Sequence, residues 1–157
     1  MNKIFLMLAF IATAFTQNSF AQDSTKAQSA QILNAYYKLK DALVSSNATS
    51  AAANADELVN AINAIDKQTV NDDARATLLK DAAAISQSKD IKQQREKFAT
   101  LSNNMFELAK TVKLSAEPVY QQYCPMKKAS WLSNDKAIKN PYYGSAMLTC
   151  GSVKTTL

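Results

Sequence analysis

The chain has 157 residues, a net charge of +5 and no histidine. Without an imidazole it lacks the usual serine and cysteine triads, the common zinc and haem ligand sets, and the default general base near neutral pH. Its length suits one domain with a modest core, in which a crosslink or a metal can matter to stability.

Met1–Ala21 reads as a secretory signal peptide. Lys3 precedes a short apolar run, Ile4 to Ala12, and Ser19-Phe20-Ala21 supplies a small-x-small end before Gln22. The apolar run is shorter than the roughly 20 residues needed to span a bilayer, so no transmembrane anchor is expected in the mature chain. The mature protein, residues 22–157, is expected to be exported, periplasmic and a single domain.

From Thr25 to Lys113 there is neither proline nor glycine, and alanine is abundant, a composition that favours long helices. Breaks fall to three polar clusters: Ser45-Ser46-Asn47, Asp66-Lys67-Gln68-Thr69 and Gln87-Ser88-Lys89-Asp90. Between them, apolar residues recur at helical spacing over about 25–45, 50–65, 72–87 and 90–113. Asp90 is placed to cap the fourth helix, and Asp72 and Asp73 suit the first turn of the third. Met105 reads as core. The glutamates form no di-iron pattern, so the body, 22–117, reads as scaffold. The fold class expected is all-α: an antiparallel four-helix up-down bundle with a compact, loop-rich aromatic cap at 118–157.

The last forty residues differ in kind. They hold all three prolines, both glycines, both cysteines and the only tryptophan. Residues 22–117 carry twelve basic and twelve acidic side chains, whereas residues 118–157 carry five lysines against Asp135 alone. A lysine patch without arginine argues poorly for nucleic acid, and no nucleic-acid partner is expected. It reads first as a solvated face that can also meet an anionic partner.

Four sulfur side chains fall in two pairs, Cys124 with Met126 and Met147 with Cys150. Met147 and Cys150 share a face if their turn is helical, and Cys124 and Met126 share one if their segment is extended. Brought together, two thiolates and two thioethers make a soft ligand set that selects Cu(I) over Mg, Ca or Mn. Tyr123, Trp131, Tyr142 and Tyr143 are placed to shield such a site. Standing beside this reading is a simpler one: two cysteines in an oxidising compartment form a Cys124–Cys150 disulfide. Closing that loop contributes about 3–4 kcal/mol, and the methionines are then apolar filler. No enzyme is expected: there is no Cys-x-x-Cys, no paired carboxylate and no nucleophile–base set.

Cys124-Pro125-Met126, Trp131-Leu132-Ser133, Ile138 to Gly144 and Met147-Leu148-Thr149-Cys150-Gly151 together resemble a family of exported bacterial domains of unknown function. That family occurs alone or attached to periplasmic adaptor subunits of heavy-metal (copper/silver) efflux systems. The Tyr123-Cys124-Pro125-Met126 segment is also similar to short metal-binding stretches of such proteins, with Lys127 where those usually carry histidine. The resemblance implies copper handling, an efflux adaptor as partner, and Cys124, Met126, Met147 and Cys150 as ligands. The function expected is Cu(I) binding for sequestration or delivery to efflux; the alternative is a non-catalytic interaction module pinned by the disulfide.

Overall fold

The computed structural model describes residues 18–157. The signal-peptide reading of Met1–Ala21 falls mainly on residues 1–17, outside the described residues. Four helices follow: α1 (Asn18–Val44), α2 (Ala48–Ala64), α3 (Asp72–Ser86) and α4 (Ile91–Thr111).

The helices break at the three polar clusters, and side chains do the work that proline and glycine do elsewhere. Asn47 accepts from the Ser50 amide at 2.9 Å to open α2, and Asn71 accepts from the Ala74 amide at 2.8 Å to open α3. Asp90 accepts from the Lys92 and Gln93 amides to open α4, the capping role its position predicts. α1 ends where Ser46 enters the left-handed region at φ 57°, and the Asn47 amide reaches back to the Ala42 carbonyl.

Successive helices pack on one another, α1 on α2, α2 on α3 and α3 on α4, as short connections require of an up-down bundle. The core takes Ile32, Tyr36, Leu39 and Leu43 from α1, and Ala51, Ala55, Leu58 and Ile62 from α2. Leu78, Ala82 and Ile85 come from α3, and Phe98, Leu101, Met105 and Leu108 from α4. Each large side chain contributes about 1.5–3 kcal/mol on burial. Tyr36 stacks on Phe98 with ring centroids 5.2 Å apart and so joins α1 to α4.

The protein is not all-α. Beyond the helices lies a three-stranded antiparallel sheet of β1 (Tyr120–Cys124), β2 (Ala129–Ser133) and β3 (Ser152–Thr156), in the order β2-β1-β3. The expected loop-rich cap is therefore a sheet with one long covering segment. Strand preference reflects how side chains fit a pleated, half-buried surface. Here Trp131 and Leu132 on adjacent positions are both buried, on opposite faces of β2, so no polar–apolar alternation marks the strand. Cys124 pairs with Ala129 across a hairpin whose turn, 125–128, closes on Lys128 in the left-handed region. β2 packs on α4.

The segment after β2 folds back over the face of the sheet that carries Trp131. The Gln122 side chain donates to the Asp135, Lys136 and Ala137 carbonyls and holds that stretch down. Arg95 of α4 ties the same segment to the bundle. It donates to the Pro141 carbonyl at 2.9 Å, the Leu43 carbonyl at 2.8 Å and the Ser46 hydroxyl at 2.8 Å. Among the described residues no helix is long and apolar enough to cross a membrane.

Candidate functional site

Cys124 is the last residue of β1, and strand alternation puts its side chain on the same face as Gln122. Pro125 then turns the chain, so the Lys127 amide doubles back to donate to the Cys124 sulfur at 3.5 Å. Cys150 arrives from the other side. A short 3-10 turn, Gly144–Met147, leads into it, and the Cys150 amide donates to the Met147 carbonyl at 3.1 Å. Gly151 follows at φ 152°, where an added Cβ would lie 2.9 Å from the Trp131 ring. The absence of a side chain there lets β3 start directly beside the tryptophan.

The outcome is that the two sulfurs face each other at 3.6 Å, although 26 positions separate them in the chain. No disulfide joins them in this structure, since a disulfide holds its sulfurs at about 2.05 Å. Cys124 is fully buried and Cys150 half-buried.

Asn140 organises this meeting and is itself fully buried. Its side-chain amide donates to the Cys150 carbonyl at 2.7 Å, and its side-chain oxygen accepts from the Tyr142 amide at 2.8 Å. Its backbone amide donates to the Leu148 carbonyl at 2.8 Å. The sequence shows Asn140-Pro141 as a turn; the asparagine's hold on the cysteine segment depends on a contact ten residues away and has no local signature.

The two thiols are electrostatically unlike. Burial opposes ionisation of Cys124, yet the Lys127 amide, the Asn140 side chain, the Cys150 thiol and the Met126 amide together hold it below the ordinary thiol range. Cys150 is pushed up by desolvation, by its hydrogen bond to Cys124 and by the charge that Cys124 carries. The pair accommodates one negative charge readily and a second reluctantly.

The methionines occupy different settings. Met126 is at the hairpin turn with 64% of its surface exposed, not in the extended segment expected for it. Met147 is half-buried at the end of the 3-10 turn. Among the described residues no three histidine, cysteine, aspartate or glutamate side chains gather.

The four aromatic residues divide likewise. Trp131 and Tyr142 are buried and meet edge to face at 5.9 Å, and Tyr142 continues to Phe98 at 6.0 Å. Through these rings the cap is joined to Phe98 of α4. Tyr143 is half-buried against the core, and Tyr123 lies under the Lys154 ammonium at 5.5 Å. Lys128, Lys136, Lys139 and Lys154 are exposed, and Lys127 is half-buried. Two surface grooves, of about 330 Å³ along α3 and α4 and about 790 Å³ at the foot of α4, include neither cysteine.

No curated protein and no solved structure matches the chain. One family model matches residues 32–117, from the middle of α1 past the end of α4, and stops short of both cysteines. That span is more than half of the sequence, and the chain belongs to the family described as protein of unknown function (DUF3347).

Proposed function

We propose that this protein is an exported, periplasmic carrier of a soft metal ion, Cu(I), which it sequesters or delivers to an efflux system. The observation that carries this reading is the approach of Cys124 and Cys150 to 3.6 Å. Two sulfurs that close, with one held towards its thiolate form, make a soft donor pair of the kind that favours Cu(I) over hard cations. Met126 and Met147, each within three residues of a cysteine, are the thioether donors nearest in sequence. The first is exposed, as a ligand that meets incoming metal must be. The reading also draws support from the leader-like start of the chain and from the resemblance of residues 123–151 to domains attached to copper/silver efflux adaptors. Such an adaptor is the partner proposed, with the lysines around the site facing it. Catalysis is not part of the proposal: cargo binding needs no base, and the site has none.

The test is an anaerobic Cu(I) titration of the reduced chain against a colorimetric competitor, beside Cys124→Ser and Met147→Leu. One tight equivalent, abolished in the first variant and weakened in the second, is expected. Failure of the reduced wild type to compete for copper would sink the reading.

The same sulfur approach favours one other role, an interaction module that a Cys124–Cys150 disulfide pins. Thiol titration of freshly exported protein separates the two: free thiols support the metal site, and none supports the pinned module.

A further inference from the structure

Cys124 and Cys150 differ in access as well as in surroundings. Cys124 is sealed at the end of β1, with none of its surface exposed. Cys150 is half-buried at the end of a turn, between two exposed residues and a glycine. Their sulfurs already touch at 3.6 Å, and separate hydrogen bonds hold each backbone. Cys124 is fixed by its pairing with Ala129, and Cys150 by the Met147 carbonyl and by Asn140. Closing the disulfide brings these sulfurs from 3.6 Å to about 2.05 Å.

We propose that Cys150 and Cys124 form a reversible thiol–disulfide exchange centre whose co-substrate is a low-molecular-weight disulfide, with Cys150 the attacking sulfur and Cys124 the buried resolving one. The Cys124 sulfur, 3.6 Å away, takes up the Cys150 proton, and Cys150 attacks one sulfur of the incoming disulfide. A mixed disulfide forms, and the first thiolate leaves and takes up a proton. Cys124 then loses its proton and attacks the Cys150 sulfur. The Cys124–Cys150 bond forms as the mixed disulfide breaks, and the second thiolate departs and is protonated. Two protein thiols are oxidised, one disulfide is reduced to two thiols, and two electrons and two protons balance.

Reversibility has a structural basis. The Lys127 amide donates to the Cys124 sulfur, and the Cys150 thiol faces it. These contacts belong to the reduced pair, and stabilising the reduced form makes a disulfide easier to reopen. Access, not ease of ionisation, sets the order of attack: Cys124 ionises more readily, but it is sealed, and exchange requires in-line approach to a reachable sulfur. The exchange stands without the copper reading. Where both hold, oxidation removes both thiolate ligands together, so metal is retained only by the reduced protein.

The experiment is equilibration of the purified, metal-free chain, with a chelator present, in graded mixtures of glutathione and its disulfide. Acid quenching and mass spectrometry then read the products. Wild type is expected to pass reversibly between dithiol and internal disulfide, at the same midpoint from either direction. Cys124→Ser is expected to accumulate the glutathione adduct on Cys150, at least about tenfold faster than Cys150→Ser accumulates it on Cys124. Because a buried substitution can loosen the fold, limiting iodoacetamide on reduced wild type is the second reading, with Cys150 alkylated first by a similar factor. An internal disulfide that never forms, or that glutathione cannot reopen without denaturant, overturns the proposal. Equal rates at the two cysteines in wild type overturn the assigned order. Chelation keeps these outcomes separate from the copper titration.

Discussion

The Tyr36 hydroxyl accepts the Leu132 amide at 3.0 Å, joining the first helix to the second strand across 96 positions of the chain. The same hydroxyl shares a 2.7 Å hydrogen bond with Ser102 of α4. One oxygen therefore fixes α1, α4 and β2 at a single buried point, and burial drives the Tyr36 pKa upward, keeping the hydroxyl neutral and able to donate. Tyr36→Phe keeps the stack on Phe98 but leaves the Leu132 amide without a partner. A loss of about 1–3 kcal/mol is expected in chemical denaturation. With Ser102→Ala added, the two effects should fall short of additive, since both act on one oxygen. Simple additivity would show that the hydroxyl does not couple the three elements.

Gly144 and Arg95 form a second joint. Gly144 has φ 56°, and a Cβ there would lie 2.6 Å from the Arg95 guanidinium and 2.8 Å from the Val44 carbonyl. Gly144→Ala combines left-handed strain with a collision, so a loss above about 2 kcal/mol is expected. Arg95→Ala removes the flexible obstacle but not the backbone one. In that background Gly144→Ala should cost less, yet still measurably, in a denaturation cycle. An unchanged cost would place the strain wholly in the backbone.

These joints explain what was and was not legible in the sequence. The helices and their breaks could be read because each depends on neighbours: Asn47, Asn71 and Asp90 cap amides two or three residues away. Met105 could be assigned to the core from its helical period alone. Tyr36 could not be singled out, because its role comes from Phe98, Ser102 and Leu132, all distant in sequence. The strands were missed for the same reason. β3 is exposed along its whole length, so it carries no apolar pattern and exists because β1 pairs with it. The cysteines were recognised by residue type, and their rejection as an exchange pair rested on sequence separation. A hairpin turn and Asn140 together abolish that separation in space.

The thiol pair should impose its own pH dependence on the reduced protein. Cys124 ionises below the ordinary value of about 8.5 when folded, so between those points the unfolded chain holds more protons and stability rises with pH. That contribution is complete above the unfolded value and is lost as pH falls through the folded one. Cys150 behaves oppositely. Its raised folded value makes its contribution complete below the unfolded pKa and lost as pH rises through the folded one. The sum peaks near the ordinary thiol pKa. Subtracting the stability of a Cys124→Ala, Cys150→Ala double variant at each pH isolates it. A difference that is flat with pH would remove the asymmetry assigned to the pair.

Asn140 is where positioning and chemistry can be separated by experiment. Asn140→Ala strands the Cys150 carbonyl and the Tyr142 amide in the interior, and a loss of about 2–4 kcal/mol is expected. That loss alone would fit a purely structural asparagine. The distinguishing quantity is the ultraviolet titration of the thiolate, because the Asn140 side chain also favours ionised Cys124. Removing that donor should move the Cys124 titration upward. Asn140→Asp should move it further, since a carboxylate keeps the bond from the Tyr142 amide but sets a negative charge beside the sulfur. Cu(I) affinity should fall in the same order, from wild type through alanine to aspartate. Two variants that lose stability while titrating like wild type would confine Asn140 to holding the loop.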